Sequence, residues 1–172
     1  MNFLSGDLTV TDSFLTYLGV ANKWVASLSS FALIGVLLAI SFLLVDKQGE
    51  LGNSARNLRK KGQIFAGIWL ISSALHILVT LAKILGTSLT QAVDTNSLKS
   101  FLTQVDLGQY LAFQLLLISL ISIFIGTVRK VLPSTLLLAL SLIAAVVPVF
   151  QSHSASGGSH ALAIGSLVVH VL

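Results

Sequence analysis

Four long apolar segments alternate with polar connections along the chain. They run from about Trp24 to Val45, Gln63 to Leu85, Leu107 to Val128 and Leu132 to Phe150. Each contains roughly 20 residues, which is the length that an α-helix needs to cross a hydrocarbon core about 30 Å thick. The pattern therefore predicts an all-α protein, a polytopic transmembrane helical bundle with four complete spans.

A fifth apolar segment, Ala161 to Leu172, follows a polar loop at the end of the sequence. About twelve residues at a rise of about 1.5 Å reach only some 18 Å, which is too short for a span. We therefore expect a truncated fifth helix, and a transmembrane domain over residues 22–172 that is cut at its C-terminus.

Basic residues are concentrated in the connection from Asp46 to Gly62 and in the pair Arg129 and Lys130. The positive-inside rule places both connections in the cytoplasm, and counting spans then places the N-terminus outside. Residues 1–21 contain no Lys or Arg and so lack the basic region of a cleavable signal peptide. They are expected to form an external leader, with a short interfacial helix that starts at Asp12 as N-cap.

Composition supports a membrane protein and excludes several kinds of site. Hydrophobic residues make up 55% of the chain and charged residues 9%, and the mean hydropathy is +0.94. The net charge is +4, but the basic residues are not interleaved with aromatic residues as they are on a nucleic-acid-binding surface. No nucleic-acid partner is therefore expected. With no cysteine and one methionine, a metal site would use imidazole, hydroxyl, amide or carboxylate groups.

Polar residues recur on one face of the second span. They lie at intervals of three or four residues, which places them on a single side of a helix. His76 lies near the middle of this span, where an ionisable residue usually faces the bundle interior or a polar path. Its simpler interpretation is a neutral imidazole that is hydrogen-bonded to a hydroxyl of Ser73 or Thr80. The stripe comprises Trp69, Ser73, His76, Thr80 and Lys83.

Three further features belong to the predicted outer end of the bundle. The stretch from Gly86 to Asp106 contains apolar residues at helical spacing and predicts a short amphipathic helix at the interface. Tyr110 and Gln114 of the third span are expected to hydrogen-bond to neighbouring helices. Pro148 is expected to kink or end the fourth helix.

Three of the four histidines lie in the last twenty residues. His153 and His160 bracket a Ser/Gly loop that is long enough to bring both imidazoles onto one ion, although such a loop can also contain histidines without a function. His170 lies inside the fifth apolar segment, at a depth similar to that of His76. Metal ligation by His153, His160, His170 and His76 is therefore a hypothesis, with structural imidazoles as its alternative.

The end of the fourth span and the segment after it resemble the copper-resistance protein D (CopD) family. The resemblance rests on Val147-Pro-Val-Phe150, then Gln151-Ser-His-Ser-Ala-Ser-Gly-Gly-Ser-His160, then an apolar helix with His170. It implies a polytopic inner-membrane protein that is linked to copper uptake or tolerance. In some bacteria the family's domain is fused ahead of a cytochrome-oxidase copper-assembly domain, so this chain is expected to be an N-terminal fragment.

The first functional hypothesis is therefore copper transport across the plasma membrane, without enzymatic activity. Copper would be captured by the histidine loop on the periplasmic side and passed inward through His170 and His76. The expected partners are the bilayer, the copper ion and a periplasmic copper carrier or a fused assembly domain. The alternatives are a b-type haem cytochrome with His76 and His170 as axial ligands, and a non-catalytic assembly module.

Overall fold

In a bilayer, the backbone N–H and C=O groups of an apolar segment find no water, and an α-helix pairs them within the segment. The chain is accordingly helical. The computed structural model describes the backbone of residues 3–43 and 53–153, and the side chains of residues 13–43 and 55–148. These ranges contain no β-strand, which confirms the predicted all-α class. The elements are α1 (Phe3–Leu38), a π-helical segment (Ala39–Leu43), α2 (Asn53–Leu85), α3 (Leu89–Ala92), α4 (Thr95–Gln104), α5 (Asp106–Phe124) and α6 (Val131–His153).

Four helices of the described ranges are long and apolar enough to cross a membrane, which confirms the four predicted spans. Their mean hydropathies lie between 1.9 and 2.2, and the protein is a multi-pass membrane protein. The predicted fifth helix, Ala161 to Leu172, falls outside the described residues. The four spans are Ser13–Leu43, Ala55–Leu85, Asp106–Phe124 and Val131–Pro148.

The four spans form a bundle in which each helix packs on the next one along the chain. α1 contacts α2 and α6, and α5 contacts α2 and α6, so the helices form a closed ring. The centre of the ring is a core of fully buried aliphatic side chains together with the indole of Trp69. Its members include Leu33, Leu37, Ile118, Ile121 and Ile125.

The first helix begins earlier than the sequence predicts. α1 starts at Phe3, so the prediction of a separate interfacial helix with Asp12 as N-cap is wrong. Leu15 is buried against Leu81 and Phe101, and this packing continues α1 ahead of the predicted span. The external position of residues 1–21 stays a prediction.

The second helix also begins earlier than predicted. α2 starts at Asn53, so the basic stretch up to Gly62 is largely helical and not a loop. Arg, Lys and Leu are good helix formers, and Ala55 is buried against Val36 and Ile40. Gly62 permits a close approach, because a Cβ there would lie 2.8 Å from Ile125 Cδ1.

Two short helices connect α2 to α5 at the opposite end of the bundle. α2 ends at Gly86, which adopts the left-handed conformation with φ 62°, and the Thr87 N–H donates to Ala82 O over 3.0 Å. The predicted amphipathic helix is present as α4, with Phe101 buried, whereas the four-residue α3 was not predicted. Gly108 of α5 lets α4 lie close, because any Cβ there would overlap the Phe101 carbonyl.

Candidate functional site

Polar side chains surround a cavity of about 490 Å³ between the four spanning helices. The cavity lies in the half of the bundle that is near the α3 and α4 connection, because α5 contributes its first turns and α6 contributes its end. Ala26, Trp69, Leu107 and Pro148 form its apolar wall. Its polar lining comprises Asn22, Lys23 and Ser27 of α1, Ser73, His76 and Thr80 of α2, and Gln114 of α5.

The polar stripe predicted on α2 faces this cavity. Trp69, Ser73, His76 and Thr80 all line it, which confirms that these residues share one face of the helix. The fifth member, Lys83, is exposed one turn further along the helix. The stripe therefore brings one imidazole, one indole and two hydroxyls into the bundle interior.

The imidazole of His76 has a buried nitrogen without a partner. Within the described side chains, Nδ1 makes no hydrogen bond, so neither Ser73 nor Thr80 satisfies it. A buried polar atom is normally paired, and leaving one unpaired costs about 1 to 3 kcal/mol. Nδ1 is thus a buried polar atom without a partner, on a residue that lines the cavity.

Asn22 positions the turn of α2 that ends at His76. Its Nδ2 donates to Ser72 O over 2.8 Å, and this bond is buried between α1 and α2. In an α-helix the same carbonyl accepts from the N–H four residues later, which is that of His76. Because the amide nitrogen is used in this way, the Oδ1 of Asn22 remains as an acceptor beside the cavity.

Gln114 repairs a break in α6. Pro148 has no N–H, so the carbonyl of Ala144, four residues earlier, loses its helical donor. Gln114 Nε2 donates to Ala144 O over 3.1 Å and restores a bond to this carbonyl. Of the two outcomes predicted at Pro148, an end of the helix is wrong, because α6 continues to His153, and a kink stays a prediction. The prediction that Gln114 bonds to a neighbouring helix is confirmed.

Apart from Lys23, the polar groups of the lining form a weak set of metal ligands. Imidazole nitrogen suits copper, and the amide and hydroxyl oxygens beside it are harder ligands that bind soft cations weakly. In the part of the chain with described side chains, no three His, Asp, Glu or Cys residues converge. The cavity can therefore hold an ion or a small complex briefly, and it lacks the ligand number of a storage site.

Three of the four predicted histidine ligands cannot be placed in this geometry. His153 is the last residue of α6, and its side chain is outside the described set, as are His160 and His170 entirely. Metal binding at these positions, and a pairing of His170 with His76, stay predictions. Nothing in the sequence marks Lys23 or Asn22 as part of the site, because their convergence with His76 depends on the packing of α1 on α2.

Comparison with known proteins places the bundle in a family. No curated protein and no solved structure matches this sequence. The family model for the copper resistance protein D-like N-terminal domain matches residues 14–161, which include every residue of the cavity and all of the four spans except Ser13. The chain therefore belongs to the copper resistance protein D-like family, as the motif around its histidine loop indicates.

Proposed function

We propose that this protein moves copper across the inner membrane and that the cavity around His76 is a transient station for it. The observation that carries the proposal is the unpaired, buried Nδ1 of His76, a residue that lines a polar cavity between spanning helices. An intramembrane ionisable side chain is usually functional, and imidazole is a good ligand for copper. Membership of a copper-resistance family supports copper as the cargo.

The weakness of the donor set suits transport better than storage. An ion must bind well enough to enter and loosely enough to leave, which favours few ligands at each station. His76 supplies one nitrogen, and the amide oxygens of Asn22 and Gln114 remain free beside the same cavity. Copper is then a substrate that passes through, and the protein has no enzymatic reaction.

The remaining histidines complete the proposed route. His153 and His160 would capture copper at the outer face, from the periplasm or from a periplasmic carrier. His170 would lie at the depth of His76 and receive the ion from that loop. Uptake toward the cytoplasm is the direction proposed, because the polar cavity lies in the half of the bundle away from the basic residues that mark the cytoplasmic side.

Substitution of His76 tests this function. His76→Ala and His76→Gln should lower copper accumulation in cells that depend on this protein, with a loss of at least about tenfold in copper affinity. Ser100→Ala, an exposed substitution on α4, is the matched control and should leave accumulation unchanged. The measurement is cellular copper per amount of protein in the membrane, and equal accumulation in the native and His76 variants would contradict the proposal.

The native protein should also be purified and analysed for iron and for a haem absorption band. A b-type haem would need a second axial ligand such as His170, and it would appear as stoichiometric iron with a Soret band. That result would indicate that His76 binds haem and serves electron transfer instead of copper transport.

A further inference from the structure

The lining of the cavity carries positive charge. Lys23 of α1 lines it together with His76 of α2. Lys83 lies two turns beyond His76, and its Nζ approaches α1 so closely that a Cβ on Gly19 would lie 3.7 Å from it. Lys23 thus lines the cavity, and the ammonium group of Lys83 lies against α1 one turn before Lys23.

Little opposing charge faces these lysines on the helices around the cavity. Among the described side chains, α1 contributes only Lys23, and α6 contributes no charged residue. α2 adds Lys83 near the cavity, and its other charges are basic residues at the far end. Asp106 of α5 precedes the lining residue Leu107, but it is exposed and does not line the cavity.

A bare copper cation is disfavoured in such a field. Two like unit charges about 8 Å apart, at an effective dielectric constant of about 20, change an equilibrium constant roughly thirtyfold. The neutral oxygens of the lining are too weak as ligands to offset this repulsion for a soft cation. An anion is attracted by the same field, and Lys23 together with the indole N–H of Trp69 can donate hydrogen bonds to it.

We propose that copper enters this cavity as an anionic complex and that Lys23 selects for that charge. The inference rests on the proposed function and names the chemical class of its substrate. At the station, the Nδ1 lone pair of His76 replaces one anionic ligand on copper. The released anion keeps the electron pair of its bond, and the oxidation state of copper does not change. Lys23 is a specificity-determining residue and His76 is the ligand.

The test compares copper complexes of opposite charge in vesicles that contain the full chain. Cu(I) is supplied as dichlorocuprate, which is an anion, or as its acetonitrile complex, which is a cation, at equal ionic strength. Cu(II) citrate is a second anionic form. The variants are Lys23→Gln, which removes the charge, and Lys23→Arg, which retains it. Lys60→Gln at the far end of α2 is the matched control.

Lys23→Gln should reduce uptake from dichlorocuprate about tenfold and raise uptake from the cationic complex, because loss of one charge acts in opposite directions on the two forms. Lys23→Arg and Lys60→Gln should keep the native ratio. If Lys23→Gln takes up dichlorocuprate and the cationic complex in the same ratio as the native protein, the inference is overturned. Uptake from Cu(II) citrate should fall in Lys23→Gln as well, because that complex is also an anion.

The outcomes also separate this inference from the proposed function. If His76→Gln stops uptake of every form while Lys23→Gln leaves the ratio unchanged, transport through His76 stands and charge selection fails. If Lys23→Gln changes the ratio while His76→Gln leaves uptake unchanged, charge selection stands and the role of His76 fails.

Discussion

Gln114 and Pro148 act as a pair across the interface of α5 and α6. The proline removes a donor from Ala144 O, and the glutamine supplies one over 3.1 Å. Within a bilayer no water is available to replace that bond, so a neighbouring side chain must do so. The pair also lies at the cavity, which both residues line. The bond thus holds the wall of the site in place as well as the helix.

Gln114→Met should therefore destabilise the protein by about 1 kcal/mol, because it keeps the size of the side chain and removes the donor. In a Pro148→Ala background the helix regains its own N–H donor to Ala144 O, so the same substitution should cost clearly less. The free energy of unfolding in detergent micelles measures both values. An equal cost in the two backgrounds would show that the bond does not compensate for the proline.

Residue-scale contacts divide into those that the sequence predicts and those that it does not. The spacing of Trp69, Ser73, His76 and Thr80 predicts a common face, because helical periodicity is a local property. The partner of Gln114 was not predictable, because the side chain of Ala144 cannot form a hydrogen bond. Its backbone carbonyl needs another donor only because Pro148 has no N–H. That Lys23 lines the cavity together with His76 was not predicted, because it depends on the packing of α1 on α2.

Helix α4 depends on a cap that titrates. Asp94 is the N-cap, and its Oδ2 accepts from the Ser97 N–H over 2.9 Å. The backbone hydrogen bond from Ser97 is the main cause of the lowered pKa of this carboxyl, since it stabilises the ionised form. The cap therefore contributes stability that is complete above the unfolded pKa, about 3.9, and is lost as the pH falls through the lower folded value.

We expect α4 to fray as the pH falls below about 4, because this carboxyl then takes up the proton that its lowered pKa keeps off at higher pH. Amide hydrogen exchange of residues 95–104, corrected for the intrinsic effect of pH, measures the change. Asp94→Asn retains a capping oxygen but does not titrate, so this variant should lose the pH dependence. If Asp94→Asn frays over the same pH range as the native protein, a group other than Asp94 is the one that titrates.

The four spanning helices were easier to predict than the residues at which they begin and end. Hydropathy identified all four spans, because each must cover the same apolar thickness. The starts of α1 and α2 were missed, since Leu15 and Ala55 extend these helices through contacts with other parts of the chain. α3 has four residues and therefore leaves almost no periodicity in the sequence.

The whole molecule has two chemically different ends. Six basic residues of the described ranges lie at the end where α2 begins and α6 begins: Arg56, Arg59, Lys60, Lys61, Arg129 and Lys130. Arg59 Nη1 donates to Val128 O over 2.6 Å and joins the two connections there. The opposite end holds the cavity, α3 and α4. This asymmetry predicts that the basic end faces the cytoplasm and the cavity end faces outward.

The absence of cysteine from the sequence allows a direct test of this orientation. Single Ser100→Cys and Lys61→Cys variants place one thiol on exposed positions at opposite ends of the bundle. A membrane-impermeant maleimide should label Ser100→Cys in intact cells, and it should label Lys61→Cys only after permeabilisation. Cys-free native protein is the control for background. The reverse pattern would put the His76 cavity on the cytoplasmic side, and the proposed direction of transport would then change from uptake to export.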